Sequence, residues 1–291
     1  MANIKIVTDS SVQLTPAEIK ENNITIVPLT IEINGQTFVD GETITREELV
    51  EELKKGNKPK TSQPAVGSFV DVFDRLGEDG SQVVAILLSD VLSGTYQTAV
   101  SAAEMSSTDV TVINSKSTDR GEAFQVLAAA KDAAAGKTIA EIQAHCKDIL
   151  ERTTIDVLVD NLDNILSGGR LGKMASMLTK LINLKVIVRL RENSLDVVKK
   201  GRSRKTFFKY CAELKERHQD NPIQELSLSN VDCSDEYLEK VKDAVLPENS
   251  KDAAYIARLT SPIIMTHTGL NAIGVITLAE KPEPDEYKAN L

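Results

Sequence analysis

Four short polar motifs follow hydrophobic runs of the sequence and carry most of the side chains that could do chemistry. They are Thr8-Asp9-Ser10-Ser11, Thr61-Ser62-Gln63-Pro64, Ser93-Gly94-Thr95-Tyr96-Gln97 and Thr266-His267-Thr268-Gly269. Together they supply many hydroxyl groups, one imidazole and almost no fixed charge. Hydroxyls and backbone N–H groups at strand ends and helix starts bind a small anion by hydrogen bonds. The motifs therefore predict a site for one carboxylate or phosphate group.

Three of these motifs have a simpler structural interpretation when each is taken alone. Ser93 could cap the helix that follows it, and Thr61 and Ser62 could do the same for the next helix. His267 follows an apolar run, so we expect it at a strand end, where an imidazole is more often structural than functional. The predicted anion site therefore depends on the motifs acting together.

Metal and nucleotide sites are less well supported by the sequence. Asp9 could bind a metal or cap a turn, and we expect the turn because no second acidic residue stands at ligand spacing. The segment Gly168-Gly169-Arg170-Leu171-Gly172-Lys173 does not match the phosphate-binding loop pattern. Cys146, Cys211 and Cys233 are far apart and have no ligand-spaced histidine, so neither a disulfide frame nor a zinc site is predicted. We expect no metal and no cofactor.

The composition is that of a soluble protein large enough for two domains. The chain has 291 residues, of which 41% are hydrophobic and 26% are charged. A net charge of −9 argues against a nucleic-acid surface, because phosphate backbones are bound by basic footprints. Aromatic residues make up only 4% of the chain, so an apolar cavity would be lined by aliphatic side chains and would suit a flexible aliphatic ligand.

One stretch of this acidic chain is strongly basic. It contains Lys199, Lys200, Arg202, Arg204 and Lys205. A solvated corner between a strand and a helix explains such a run, and we favour that interpretation. The alternative is a docking patch for an acidic partner.

The amino terminus runs directly into Ile4-Lys5-Ile6-Val7, without a basic region or a long apolar segment. No stretch of the sequence approaches the length needed to span a membrane. We therefore expect the protein to be cytoplasmic.

The first half of the chain alternates between strand and helix patterns. Thr15-Pro16-Ala17-Glu18 is a helix capping box, and Asn34-Gly35 is the turn of a hairpin. Strands are predicted at residues 4–7, 83–88 and 110–113, and helices at residues 66–76, 93–105 and 119–135. Repeated strand-helix units predict an α/β domain with a parallel sheet, which we place at residues 1–152.

The second half mixes strands that follow one another with helices. Strands are predicted at residues 155–159, 185–190, 194–198, 223–228, 256–259 and 274–278. This pattern predicts a C-terminal α+β domain with a mixed or antiparallel sheet at residues 153–280. The remaining residues, 281–291, are mostly polar and are predicted to form a loose tail.

The ordered set of motifs resembles the DegV family over essentially the whole chain. The matching segments are Ile6-Val7-Thr8-Asp9-Ser10-Ser11, Leu14-Thr15, Val27-Pro28-Leu29, Asp40-Gly41, Thr61-Ser62-Gln63-Pro64, Leu92-Ser93-Gly94-Thr95-Tyr96-Gln97, Gly168-Gly169-Arg170 and His267-Thr268-Gly269. Each segment is weak evidence alone, but their order along the chain is highly specific. The family fold, an α/β domain followed by an α+β domain, agrees with the division described above.

The resemblance implies a fatty-acid-binding carrier without turnover of its own. Characterised members bind a long-chain fatty acid as a subunit of bacterial fatty acid kinase, and a separate ATP-binding subunit makes the acyl phosphate used in phospholipid synthesis. By resemblance, the carboxylate would be bound by Thr61, Ser62, Ser93, Gly94, Thr95, His267 and Thr268. Arg170 and Arg202 would contact the kinase partner. We further expect a monomer when alone, and transient membrane contact for loading.

Two other functions compete with this interpretation. The first is a serine hydrolase acting on a lipid ester, with Ser93 as nucleophile and His267 as base, although the nucleophile-elbow pattern G-x-S-x-G is absent around Ser93. The second is a phosphate-binding module or a kinase in its own right, although paired carboxylates for Mg²⁺ are not evident.

Overall fold

A computed structural model of the chain describes residues 3–169 and 184–283. Contacts divide the chain into two units, each described by itself below. The first unit comprises Met1–Thr45, Pro59–Leu150 and Ser261–Ile263, and the second comprises Arg46–Lys58, Glu151–Thr260 and Ile264–Leu291. The sequence-based domain limits, 1–152 and 153–280, stay a prediction, and most of the predicted tail lies outside the described residues.

The described residues form strands and helices as follows. The strands are β1 (Ile4–Asp9), β2 (Thr25–Val27), β3 (Thr30–Ile33), β4 (Gln36–Val39), β5 (Lys60–Ser62), β6 (Gln82–Leu87), β7 (Val110–Asn114), β8 (Thr153–Val159), β9 (Lys185–Leu190), β10 (Leu195–Gly201), β11 (Ile223–Asn230), β12 (Ala254–Leu259) and β13 (Ile273–Ala279). The helices are α1 (Pro16–Glu21), α2 (Arg46–Lys54), α3 (Val66–Gly77), α4 (Thr95–Met105), α5 (Asp119–Ala134), α6 (Ile139–Arg152), α7 (Asp163–Ser167), α8 (Lys205–Arg217), α9 (Asp235–Val245) and α10 (Pro262–Thr268).

The main sheet of the first unit is parallel, with the strand order β2-β1-β6-β7. After β1 the chain forms β2 at one edge of the sheet, and after β6 it forms β7 at the opposite edge. The strand order therefore reverses between the neighbours β1 and β6. Parallel α/β sheets bind ligands in the crevice outside the carboxyl ends of their strands at such a reversal. Residues that follow β1 and β6 are thus in the position where a ligand site is expected.

Side chains of β1 alternate between the two faces of this sheet. Ile6 packs in a cluster with Val126 of α5, whereas its neighbour Val7 packs in a cluster with Phe69 and Phe73 of α3. All five of these side chains are at least nine-tenths buried. This alternation is the period-two pattern of a strand covered by helices on both faces.

A small antiparallel sheet, in the order β4-β3-β5, carries the Thr61 motif. Asn34 and Gly35 turn the chain between β3 and β4 with φ angles of 52° and 82°, as the predicted hairpin requires. The third strand, β5, places Thr61 opposite Ile31 of β3. The sequence analysis missed β5, because a three-residue polar strand has no hydrophobic alternation to reveal it.

The sheet of the second unit has the order β10-β9-β8-β13-β11-β12. Its neighbours are antiparallel except for β11 and β12, which are parallel. Phe207 and Leu214 of α8 and Val241 of α9 pack in one buried cluster with the strands. A parallel-sheet α/β unit and a unit with a mixed sheet confirm the predicted fold class.

A buried polar network joins the carboxyl ends of β1 and β6 to α5. The Asp9 carboxylate accepts hydrogen bonds from the backbone N–H of Leu88 (2.8 Å) and of Ser11 (2.9 Å). The Glu122 carboxyl accepts from the hydroxyls of Thr8 (2.9 Å) and Ser11 (3.1 Å). Asp9 and Glu122 are both completely buried. The predicted turn-capping role of Asp9 matches its bond to Ser11, and Asp9 also fixes the start of the segment after β6.

Burial makes it costly for both carboxyl groups to be ionised at once. Burial, followed by the charge of Asp9, raises the pKa of Glu122 well above its usual range. Burial also raises the pKa of Asp9, although the N–H groups of Leu88 and Ser11 oppose this shift. Because Asp9 accepts two backbone N–H bonds, its ionised form is the better stabilised of the two. Glu122 is therefore the carboxyl that keeps the proton.

Replacing Glu122→Gln tests this assignment through the pH dependence of stability. Native Glu122 holds its proton at pH values where an unfolded glutamate, with a pKa of about 4.3, has lost it. The wild-type free energy of unfolding should thus fall as the pH rises above that value, by up to about 1.4 kcal/mol per pH unit. The neutral amide should remove this fall, as measured by urea denaturation between about pH 5 and pH 8.

The matched control is Glu141→Gln. Glu141 is exposed on α6, and its pKa is lowered by hydrogen bonds from Thr138, so it is ionised in both states across this pH range. The control should keep the wild-type slope. An unchanged slope in Glu122→Gln would show that Glu122 is not protonated in the folded protein.

Candidate functional site

The segment after β6 presents two hydroxyls at the start of α4. The Ser93 Oγ lies 2.9 Å from the Thr95 Oγ1 and accepts a hydrogen bond from the Thr95 backbone N–H at 3.3 Å. Gly94 is the N-cap of α4, and it provides no side-chain cap for the first turn. Backbone N–H groups at a helix start favour an anion. The hydroxyls and the helix start of the first unit together supply hydrogen-bond donors of the kind that suit an anion.

The Thr61 motif contacts this helix start within the same unit. Gln63 donates from its Nε2 to the Thr98 Oγ1 at 2.6 Å, and Thr98 donates to the Gly94 carbonyl at 3.2 Å. A Cβ atom at Gly94 would overlap the Gln63 side chain, so glycine allows the close approach. Thr61 is half-buried, and Ser62 is exposed. The structure therefore brings two of the predicted motifs together.

Ser93 has the hydrogen bonds of a turn hydroxyl. The partners found for its Oγ are the Thr95 hydroxyl and the Thr95 backbone N–H. An activated serine nucleophile requires a base within hydrogen-bond reach. The Ser93 bonds described here do not favour the hydrolase alternative.

His267 and Thr268 lie in the second unit, at the C-terminal end of α10. The expectation of a strand-end histidine was wrong. Pro262 begins a helix at this point, and a run of three apolar residues cannot distinguish a strand from a buried helical turn. Thr268 donates to the Ile264 carbonyl at 2.9 Å, and His267 is partly exposed.

The basic stretch lies between β10 and α8, also in the second unit. Arg204 binds the Asp160 carboxylate at 3.0 Å, and its guanidinium lies 4.7 Å from the centre of the Tyr237 ring. Lys199 forms an ion pair with Glu213. Arg202 is exposed. Part of the stretch is thus bound within its own unit, whereas Arg202 faces solvent. Arg170, the other predicted partner contact, lies outside the described residues.

Two neighbours of the predicted site residues were missed by the sequence analysis. Thr98 connects Gln63 to Gly94, and its position four residues after Gly94 on a helix could have indicated the contact. Asn164 of α7 donates to the Thr266 carbonyl next to His267 at 3.0 Å. Nothing in the local sequence around Asn164 indicates that contact.

The described residues offer no support for a metal site, a reactive thiol or a membrane span. Within residues 3–169 and 184–283, no group of three or more His, Cys, Asp or Glu side chains could hold a metal ion. Burial raises the pKa of Cys146, Cys211 and Cys233 to about 12, so these thiols are unreactive at neutral pH. None of the helices in this part of the chain is both long and apolar enough to cross a bilayer.

The fold is similar to that of solved structures. A structure described as DegV, a fatty acid binding protein from Bacillus subtilis, gives a TM-score of 0.85 at 23% identity, with 96% of this chain and 100% of that chain covered. A structure described as a stearic acid-binding protein from Eubacterium ventriosum gives a TM-score of 0.81 at 24% identity, with coverage of 96% and 98%. At these identities the likeness establishes the fold.

The sequence comparisons agree with the fold. A DegV domain-containing protein of Streptococcus pneumoniae is 36% identical over 277 residues, which cover 95% of this chain and 98% of that protein. A family model described as "Uncharacterised protein, DegV family" matches residues 3–280. The predicted resemblance is therefore confirmed: the chain belongs to the DegV family.

Proposed function

We propose that the protein binds a long-chain fatty acid and presents its carboxyl group to a kinase subunit that forms the acyl phosphate. The observation that carries the proposal is the contact between two motifs of the first unit. Thr61 and Ser62 precede Gln63, whose side chain packs against Gly94. The two sequence neighbours of Gly94, Ser93 and Thr95, carry the other hydroxyl groups. Hydroxyls at a helix start favour a carboxylate and leave it accessible for reaction.

A fatty acid is the carboxylate that best fits the supporting findings. The similar structures from Bacillus subtilis and Eubacterium ventriosum are described as fatty acid-binding and stearic acid-binding proteins. Each methylene group that leaves water contributes about 0.8 kcal/mol, so the acyl chain would supply most of the affinity. Hydrogen bonds to the head group would then fix its position rather than provide the main binding energy.

The remaining roles in the proposal rest on the family resemblance. His267 and Thr268 are assigned as further ligands of the carboxylate. Arg202, exposed between β10 and α8, is assigned to the surface that meets the ATP-binding subunit. In this proposal the protein itself catalyses no turnover, and phosphoryl transfer takes place on the partner. Cytoplasmic location and a monomeric state belong to the same proposal.

The head-group assignment predicts weaker binding in Ser93→Ala and Thr61→Ala. A hydrogen bond to a charged group contributes about 1.5–3 kcal/mol, so each variant should raise the fatty-acid Kd by roughly tenfold to a hundredfold. Displacement of a fluorescent fatty acid from delipidated protein measures this Kd.

Ser203→Ala is the matched control, because Ser203 is an exposed hydroxyl between β10 and α8. It should bind with wild-type affinity. Wild-type affinity in both Ser93→Ala and Thr61→Ala would reject the head-group site.

The partner assignment predicts that Arg202→Glu separates binding from transfer. The variant should bind fatty acid with wild-type Kd, because Arg202 is exposed and away from the hydroxyl motifs in sequence. With a family ATP-binding subunit and ATP, it should lose most acyl-phosphate formation through charge reversal at the contact. The measurement is kinase-coupled ADP release.

Lys205→Glu makes the same charge change at another exposed residue of the basic stretch and should retain more activity. Two results would contradict the assignment: full activity in Arg202→Glu, or fatty-acid-dependent ATP consumption by this protein without a partner.

A further inference from the structure

Gly168 lies directly beside His267. A Cβ atom built on Gly168 would lie 2.6 Å from the His267 Nδ1 and 3.5 Å from its Cε1. The backbone of Gly168 has φ −68° and ψ −18°, which any residue adopts. Backbone freedom therefore does not require a glycine here. A glycine is required because a Cβ atom would occupy space that the imidazole fills.

Asn164 lies one helical turn before Gly168. Its Nδ2 donates to the Thr266 carbonyl at 3.0 Å, and its own carbonyl accepts from the Gly168 N–H at 3.0 Å. On the other side of His267, Gly269 has φ +76°, and a Cβ atom there would lie 2.8 Å from the Asn164 Oδ1. The Asn164 side chain therefore fills the space that Gly269 leaves.

These contacts hold the histidine from both sides within the second unit. Asn164 donates to the carbonyl of Thr266 and packs against Gly269. Gly168 limits the space beside the imidazole ring. We infer that Asn164 and Gly168 are positioning residues for His267, which fix the place and orientation of its imidazole. The consequence for fatty-acid binding rests on the proposed function, in which His267 is a ligand of the carboxylate.

A positioning role for Asn164 and Gly168 differs from an ordinary packing role because it affects one side chain, the His267 ring. A loosened α7 would lower stability without a specific effect on His267. A displaced imidazole changes its ring nitrogen chemical shifts and its tautomer balance, because these report the surroundings of Nδ1 and Nε2. The sequence has three histidines, so each ring can be observed separately.

The experiment uses the full chain with ¹⁵N-labelled histidine, in wild type, Gly168→Ala and Asn164→Ala. Signals are assigned with His145→Gln and His218→Gln. Both positioning variants should shift the His267 ring nitrogens and leave those of His145 and His218 unchanged. Fatty-acid Kd, measured on the same samples, should rise by about tenfold or more.

Gly67→Ala is the control for the substitution itself, because a Cβ atom at Gly67 meets nothing within 4 Å. It should leave all three rings and the Kd unchanged. Unfolding curves confirm that each variant is folded, and Asn164→Ala keeps the test decisive if Gly168→Ala does not fold.

Unchanged His267 nitrogen shifts in folded Gly168→Ala and Asn164→Ala would overturn the inference, whatever happens to the Kd. Shifted signals with an unchanged Kd would uphold the positioning role and reject His267 as a ligand of the carboxylate. If the wild type binds no fatty acid, the proposed function fails, and the nitrogen shifts still decide whether Asn164 and Gly168 position the ring.

Discussion

The carboxyl ends of β1 and β6 depend on a buried interaction between polar groups that water cannot reach. Asp9 accepts a hydrogen bond from the N–H of Leu88, and the raised pKa of Glu122 favours a protonated second carboxyl in the same buried network. Removing either carboxyl would leave buried donors or a buried charge without compensation, which costs more than a hydrogen bond at the surface. The segment that carries Ser93 begins at this network, so the geometry of the hydroxyl site follows from it.

In the proposed function the bound carboxylate must react, and hydroxyl ligands then have a chemical consequence. An ion pair with arginine or lysine would stabilise the negative charge and oppose its attack on phosphorus. Hydroxyl and N–H donors fix the oxygen atoms while leaving them nucleophilic, and orientation alone contributes strongly to such reactions. Ser93, Thr95 and the start of α4 provide this kind of environment. The positioning of His267 by Asn164 and Gly168 extends the same principle to a titratable group.

Local signals account for the features that the sequence predicted well. The capping box at Thr15 forms its expected reciprocal bonds, because Thr15 and its partner Glu18 are only three residues apart. Asn34-Gly35 forms its hairpin for a similar reason. Motif order identified the family and pointed to the candidate ligands.

Features that depend on distant residues were not predictable in this way. Glu122 lies in the first turn of a predicted helix, and its partner Thr8 is more than a hundred residues away along the chain. Asn164 meets Gly269 across a comparable separation. His267 was assigned to a strand end because the periodicity of a three-residue apolar run is ambiguous. Such contacts need a fold before they can be inferred.

The identity of the ligand carried by the purified protein tests the central claim most directly. Native mass spectrometry, followed by organic extraction and mass spectrometry of the extract, should show close to one long-chain fatty acid per chain. Delipidated protein should rebind that fatty acid but bind its methyl ester much more weakly, because the ester has no carboxylate. Protein that carries no lipid and binds fatty acid and methyl ester equally would contradict the account.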